Sequence, residues 1–170
     1  EQAVLLSDAA KSVNKLFNIN KGLTLLSKLE NKQFDNAVEI HLKTLLQQRL
    51  QYFADFIENK KLTVTEQYQN DITIVMKASL AEILFDNLIK NAIQHNIQGG
   101  KIFITVDHNL LKISNTGEAP KGPTTNYFDR FYSQKSQNSL GLGLSIIKKI
   151  IEYYSYSISY NYEKDLHQLS

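Results

Sequence analysis

The stretch LFDNLIKNAIQHN, residues 84–96, carries two rows of side chains at helical spacing. Asn87 and Asn91 stand four residues apart, so on an α-helix they share one face and can direct two amide groups at a single ligand. His95 continues this row one turn later. The apolar positions Phe85, Leu88 and Ala92 form a neighbouring row. The segment therefore predicts a helix that binds on one side and packs on the other, although both amides could instead satisfy nearby backbone groups.

The composition is that of an ordinary globular protein, with 42% hydrophobic and 21% charged residues among 170. This length suits one domain plus an appendage. The net charge of +2 argues neither for nor against a nucleic acid partner, but the sequence has no basic stripe with interleaved aromatic residues, and we expect no such partner. The absence of cysteine excludes disulfides and thiolate metal sites, and no histidine or carboxylate cluster suggests zinc.

The chain contains no apolar run near the roughly 18 residues that span a bilayer, and no signal peptide precedes Glu1. We therefore expect a chain that is soluble as given. It begins without methionine, and its last residues have the pattern of a strand. We interpret it as a piece of a longer protein.

The amino-terminal segment, from Glu1 to about Asn31, predicts one long helix. It has no proline, and its apolar seam repeats at alternating spacings of four and three. The seam positions are Leu5, Ala9, Ser12, Leu16, Ile19, Leu23, Leu26 and Glu30. Such a helix needs a partner, which favours dimerisation through this segment. Because Ser12 interrupts the seam, a plain surface helix on the following domain is the alternative.

The remaining pattern alternates helices and strands. After a polar hinge at 33–36 it predicts strands at 37–40, 62–68, 71–76, 101–107, 110–114 and 156–162, with a further strand beginning at the end of the chain. Helices are predicted at 42–57 and 80–96 and after Gly143, and residues 115–138 should form a loop with one helical turn near 128–132. This is an α+β pattern: a two-layer sandwich of a mixed, mostly antiparallel sheet with helices on one face.

Two loop motifs are suited to binding a nucleotide. GLGLSI, residues 141–146, leads directly into a helix, whose free amides can receive phosphate oxygens. A lone G-x-G is more often only a tight turn, and neither a Rossmann fingerprint nor a P-loop is present. Asn115, Thr116 and Gly117 end a strand, where an amide can read the edge of a planar heterocycle or close an Asx turn. Arg130 and Lys135 are cations in the loop, where they can close over polyphosphate or simply be solvated.

The order of these motifs resembles the catalytic ATP-binding domain of sensor histidine kinases, in the GHKL superfamily. NLIKNAIQHN looks like the family's N box, ISNTG and GLGLSI like its two glycine boxes, and FDRFY like its F box. The likeness covers residues 34–170, with the last strand truncated. Residues 1–33 resemble the second helix of the family's dimerisation and phosphotransfer hairpin.

The resemblance implies ATP and Mg²⁺ as cofactors and a role for each motif residue. Asn91 would ligate the magnesium ion, with Asn87 hydrogen-bonding nearby and His95 lining the pocket. Asn115 would accept from the adenine amine, and Gly117 would let the base lie close. The lid residues would be Arg130, Tyr132 and Lys135, and the residues capping the phosphates would be Gly141, Leu142, Gly143 and Leu144.

Four departures from the family pattern predict weaker nucleotide binding. Asparagine replaces aspartate at position 115, Ala119 replaces a second glycine, Gln94 stands where a basic residue is common, and the lid from Tyr132 to Gly141 is short. None of these changes removes Asn91 or the capping glycines, so we expect binding to persist.

The position four residues before Asn91 bears on the reaction. Superfamily members that hydrolyse ATP carry a glutamate there to activate water, whereas Asn87 cannot take a proton at neutral pH. The resemblance therefore implies phosphoryl transfer to a histidine upstream of Glu1 and relay to a response regulator. The chain's own histidines, His41, His95, His108 and His167, lack the context of a phosphoacceptor, and most are expected to be ordinary surface or cap residues.

The expected protein is thus a homodimeric kinase, the cytoplasmic part of a sensor whose membrane segments lie outside this chain. The alternatives are a degenerate nucleotide-binding or dimerisation module without transfer activity, and a serine-directed kinase of the same superfamily.

Overall fold

The computed structural model describes residues 2–70, 72–132 and 141–170. The helices are α1 (Gln2–Glu30), α2 (Leu42–Tyr52), α3 (Ala54–Asn59), α4 (Ala78–Gln94) and α5 (Gly143–Tyr153), with a 3₁₀ turn at Thr124–Asn126. The strands are β1 (Val38–His41), β2 (Thr63–Tyr68), β3 (Thr73–Met76), β4 (Lys101–Asp107), β5 (Leu110–Thr116), β6 (Tyr160–Glu163) and β7 (Leu166–Leu169).

The main sheet has five strands in the order β2-β4-β5-β7-β6. Only β2 and β4 are parallel, because the chain between them crosses the layer through β3 and α4, whereas the other neighbours pair antiparallel. Strands β1 and β3 form a separate antiparallel pair. The predicted α+β architecture with a mixed, mostly antiparallel sheet is confirmed.

The core lies between the main sheet and the helices. Alternate residues of β4 are buried at 1% exposure, and they face the apolar row of α4 that the sequence predicts. The buried residues of these two elements include Ile102, Ile104, Val106, Phe85, Leu88 and Ala92. Helix α5 covers the same layer with Ile147 and Ile150, which are both fully buried. One face of α4 is thereby fixed in the core, so the row containing Asn87 and Asn91 points out of it.

Helix α1 packs on this core only through its carboxyl-terminal part. Leu26 and Leu29 are 0% and 4% exposed, whereas Leu5 and Leu16 in the other part are 66% and 67% exposed. The long helix is confirmed. Dimerisation through its exposed apolar residues, and the division of the chain at residue 33, stay predictions.

Most element boundaries differ from the sequence-based expectation by one or two residues, and three differences are larger. The helix predicted at 42–57 is divided at Phe53, whose buried ring packs into the core while its N–H donates to the carbonyl groups of both Arg49 and Leu50 at 3.1 Å. The strand predicted at 156–162 is observed as the shorter β6, because β7 offers it only four partner residues. The helical turn in the loop is at Thr124–Asn126 instead of 128–132, since Pro123 fixes the backbone that enters it.

Candidate functional site

A cleft of about 790 Å³ opens at the end of the core layer. Its walls are α4, the adjoining ends of β5 and β7, the turn that enters α5, and α1. The lining includes nine residues that the sequence singles out: Asn87, Asn91, His95, Asn115, Tyr132, Gly141, Leu142, Gly143 and Leu144. Motifs that are far apart in the sequence thus meet around one space that is large enough for a small-molecule ligand.

The two asparagines of α4 differ in what their amides already bind. Asn87 Nδ2 donates to the Ile83 carbonyl at 2.7 Å, so its Oδ1 faces the first turn of α5. A Cβ added at Gly143 would lie 3.2 Å from that oxygen, which shows how closely the two elements approach. The Asn91 side chain makes no hydrogen bond with another residue in the described ranges. Its amide is therefore available to a ligand in the cleft.

The turn before α5 requires glycine at its first position. Gly141 has φ +63°, and a Cβ there would lie 2.5 Å from the Phe131 carbonyl carbon. The Phe131 N–H donates to the Gly141 carbonyl at 2.8 Å. Helix α5 then begins at Gly143 without a side-chain cap, so its first amides present unpaired donors and the positive end of the helix dipole to the cleft. This is suitable geometry for phosphate oxygens.

The opposite end of the cleft is built by strand pairing. Asn115 on β5 is directly opposite His167 on β7, so both side chains lie on the same face of the sheet. Asn115 is 5% exposed, and its Nδ2 donates to the Thr116 carbonyl at 2.9 Å. Its Oδ1 remains as the acceptor that a ligand can use.

His167 is held in the cleft by its aromatic neighbours. Its Nδ1 lies 2.6 Å from the hydroxyl of Tyr160, and the Tyr160 ring lies 4.6 Å from the ring of Tyr127. Burial raises the pKa of the Tyr160 hydroxyl above its ordinary value, so it stays protonated and able to donate. The sequence pattern did not single out His167 for the site. Its position depends on the β5–β7 pairing, which no local pattern reveals.

Gly117 does not line the cleft but makes room beside it. A Cβ there would lie 2.5 Å from both Cδ2 and Nε2 of His167 and 2.7 Å from the His95 carbonyl. Gly117 therefore leaves room for the imidazole of His167, and the close approach of an adenine base to Gly117 stays a prediction.

The predicted lid residues fall in different places. Tyr132 lines the cleft, whereas Arg130 is not among the lining residues and pairs through its Nη2 with Glu30 at the end of α1. Lys135 lies outside the described residues. The structure does not bring Arg130 to the cleft wall.

Sequence reasoning missed the contribution of α1. Six residues of this helix line the cleft: Lys11, Ser12, Asn14, Lys15, Asn18 and Gly22. In the sequence these residues are visible only as polar positions within or beside the apolar seam. Their place in the cleft depends on the packing of α1 against α5.

The described ranges contain no group of three or more histidine, cysteine or acidic side chains placed to hold a metal ion. They also contain no helix that is both long and apolar enough to span a bilayer.

The family of the chain follows from comparison with known proteins. Residues 76–167, more than half of the chain, match the model of the histidine kinase-, DNA gyrase B- and HSP90-like ATPases. The chain belongs to this family of ATP-binding domains. This confirms the resemblance to GHKL proteins and identifies ATP as the ligand that the family implies.

The curated relatives it resembles include heme sensor proteins named HssS. The protein from Staphylococcus saprophyticus is 32% identical over 158 residues, which cover 89% of this chain and 34% of the relative. The protein from Staphylococcus aureus strain Newman is 31% identical over 167 residues, covering 91% and 35%. The chain therefore spans about a third of the length of these relatives.

Solved histidine kinases share the fold. The Acinetobacter baumannii histidine kinase AdeS superposes with a TM-score of 0.81 at 23% identity, over 98% of this chain and 81% of that one. The catalytic domain of histidine kinase ThkA gives 0.70 at 25% identity, over 79% and 93%. The first of these includes α1 in the match, which supports the arrangement of that helix on the domain.

Proposed function

We propose that this chain is the ATP-binding catalytic part of a sensor histidine kinase. It transfers the γ-phosphoryl group of Mg²⁺-ATP to a histidine outside this chain, for relay to an aspartate of a response regulator. The observation that carries the proposal is the α4 amide pair facing the first turn of α5 across one cleft, with an asparagine where a hydrolase would need a base.

The residues present fit a magnesium ion. Magnesium prefers oxygen ligands and commonly takes only one or two from the protein, completing its shell with water and phosphate oxygens. The uncommitted amide of Asn91 offers one such oxygen, while Asn87 is held by Ile83 and can bind a neighbouring water or phosphate. When bound, the ion would neutralise charge that develops on the transferred group.

The backbone amides at the start of α5 bind the phosphate groups. The amides from Gly143 onward receive the oxygens, and Gly141 permits the turn to pass close to the Phe131 backbone without a side chain intervening. We assign Leu142 and Leu144 to the same cap because both line the cleft. Tyr132 and His95 line the walls, and Asn115 Oδ1 accepts from the exocyclic amine of adenine.

Transfer is favoured over hydrolysis by the side chains beside the phosphate end. The Asn87 amide cannot remove a proton from water at neutral pH. Glu118, a carboxylate that lines the cleft, follows Gly117 at the other end. We therefore propose that the acceptor is a protein nucleophile brought to the cleft, and the similarity to the catalytic domain of histidine kinase ThkA supports a histidine.

The wider assembly is proposed on the same basis. One similar structure is titled as histidine kinase ThkA in complex with response regulator protein TrrA, at a TM-score of 0.65. For this chain we propose a receiver domain as partner. We also propose a homodimer that forms through the exposed apolar side of α1. Residues 1–33 would then be the end of the dimerisation domain, and residues 34–170 the catalytic domain. The protein would be the cytoplasmic part of a membrane-bound sensor, attached through segments outside this chain.

Labelling by γ-labelled ATP tests the proposed reaction. The full-length protein, incubated with magnesium and this ATP, should acquire a label that is stable in base and lost in acid, as expected of phosphohistidine. An acid-stable label would indicate a hydroxyl acceptor, and nucleotide binding without any label would indicate a module that does not transfer phosphate.

The variant Asn91→Ala tests the site itself. It should abolish magnesium-dependent ATP binding, because it removes the uncommitted amide oxygen from the cleft. Isothermal titration with and without magnesium measures this effect. Asn109→Ala, in the exposed β4–β5 turn, is the matched control and should bind as the unmodified protein does. Unchanged affinity in Asn91→Ala would overturn the assignment.

A further inference from the structure

The face of α1 that meets the rest of the molecule changes character along its length. In its carboxyl-terminal part this face is apolar, and Leu26 and Leu29 are buried there against the core. Earlier in the helix the same face carries a polar row at spacings of four, three and four: Lys11, Lys15, Asn18 and Gly22. Every member of that row lines the cleft. The change from apolar to polar thus coincides with the point at which α1 passes over the cleft.

In the same part of α1, the opposite and outward face is apolar. Five large apolar side chains there are between 64% and 72% exposed: Leu5, Leu6, Val13, Leu16 and Phe17. If the polar row served only solubility, it would lie on the outer side. Its inward position against a cleft calls for a polar ligand.

The position of α1 over the cleft is fixed by contacts beyond the row. A Cβ at Gly22 would lie 3.0 Å from Leu142 Cδ1, so the helix touches the residue between the two capping glycines. The ion pair between Glu30 and Arg130 holds the other end. Lys15 lies seven residues before Gly22, about 10 Å along the helix axis, so a bound polyphosphate could extend from the turn at Leu142 to its ammonium group.

The charges around the cleft suit an anion. Three lysines line the cleft, Lys11 and Lys15 on α1 and Lys90 on α4, while Glu118 is the carboxylate among the described lining residues. Lys11 also pairs with Asp8 at 3.1 Å, but both side chains are well exposed, at 74% and 63%. Water screens a pair of this kind, so the ammonium group can exchange its partner for phosphate at little cost.

We propose that Lys11, Lys15 and Asn18 of α1 bind the phosphate chain of the nucleotide, supplying part of the phosphate subsite from outside the catalytic domain. The inference rests on the proposed function, since it assumes that the nucleotide occupies this cleft. Binding and docking of α1 are then coupled in both directions: nucleotide favours the docked helix, and displacement of the helix weakens nucleotide binding. A signal that moves α1 would reach the cleft through these side chains.

The test uses the double variant Lys11→Gln/Lys15→Gln in the full-length protein. Its affinity for magnesium-ATP should fall about fivefold, as expected for two partly exposed charge contacts, whereas its affinity for adenosine, measured by competition, should not change. The dependence of ATP affinity on salt should also become weaker. The unfolding free energy should remain that of the unmodified protein.

The matched control is Lys21→Gln/Lys28→Gln, which removes the same charge from exposed positions of α1 that do not line the cleft. It should bind ATP as the unmodified protein does. An equal loss in both double variants, or an equal loss for ATP and adenosine, would overturn the inference while leaving the proposed function intact. If the unmodified protein bound no nucleotide, the proposed function would fail first and the inference with it.

Discussion

The two ends of the cleft differ in the chemical groups that they offer to a ligand. The end beside α5 offers backbone amides, two side-chain amides and lysines, all suited to neutralising a charged group of variable orientation. The end beside β7 offers few polar atoms, and each of those from Asn115 and His167 is already oriented by a neighbour in the chain. We therefore expect most of the binding free energy to come from the phosphate end and most of the selectivity between bases from the other.

The largest effect should follow from Gly141→Ala at the phosphate end. The added methyl group meets the Phe131 backbone at 2.5 Å in a residue whose φ is +63°. We expect a loss of unfolding free energy of about 2–3 kcal/mol and at least a tenfold loss of ATP affinity, because the turn must move. Chemical denaturation and ATP titration measure these quantities.

Gly99→Ala separates steric contact from backbone strain. Gly99 has nearly the same φ, +69°, but nothing lies within 4 Å of its added Cβ. It should lose only the strain component, about 1 kcal/mol, and keep its ATP affinity. Equal losses in the two variants would show that the contact with Phe131 is unimportant.

Gly117→Ala should disturb the base end without affecting the phosphate end. The new methyl group would displace the His167 ring, which lies 2.5 Å from it, so ATP affinity should fall about three- to tenfold while affinity for inorganic triphosphate is retained.

The double variant Gly117→Ala/His167→Ala tests the cause of that loss. Removing the imidazole should relieve the contact with the ring but not the contact with the His95 carbonyl, 2.7 Å from the added Cβ. The two changes should therefore couple favourably by about 1 kcal/mol in a double-mutant cycle of ATP binding, with part of the loss from Gly117→Ala retained. His167→Ala alone should narrow the preference for ATP over GTP. Additive effects, or an unchanged ATP to GTP ratio, would remove His167 from base recognition.

A smaller effect is expected from Tyr160→Phe, which deletes the hydroxyl 2.6 Å from His167 Nδ1. The loss of one hydrogen bond should lower ATP affinity about two- to fivefold through greater freedom of the imidazole. Tyr156→Phe, at an exposed position preceding β6, is the control. An unchanged affinity in Tyr160→Phe would mean that the orientation of His167 does not depend on Tyr160.

The smallest effect concerns the packed side of α4, where Asp86 adjoins Asn87 but faces Arg49 at 3.7 Å. Burial raises the pKa of Asp86, and Arg49 only partly opposes this. The folded protein therefore keeps the proton to higher pH than the unfolded chain, and this contribution to stability is lost as pH rises from the ordinary value of 3.8 through the raised pKa.

Asp86→Asn should remove that pH dependence. Its unfolding free energy relative to the unmodified protein should rise with pH over the same window, as measured by denaturation at several pH values, while ATP affinity at neutral pH is retained. A difference that falls with pH would contradict the raised pKa, and a loss of ATP affinity would show that the two sides of α4 are not independent.

Several features of this protein follow from local sequence alone. Asn87 and Asn91 share a face because four residues make about one helical turn, and Gly141 and Gly143 mark a helix start because glycine tolerates the required backbone. The order of these motifs was enough to indicate the family and the α+β architecture. The first two inferences use residues within one or two turns of each other, where the geometry is set by the backbone, and the third uses only the order of short motifs along the chain.

Other features were decided only by tertiary structure. His167 enters the cleft because β7 pairs with β5 in one register, Arg130 binds Glu30 because α1 returns beside the F-D-R-F-Y segment, and the lysines of α1 line the cleft because Gly22 allows the helix to dock on Leu142. These contacts join residues distant in sequence, and their free energies depend on how whole elements pack. A pattern within a single segment carries no information about which other segment will lie against it.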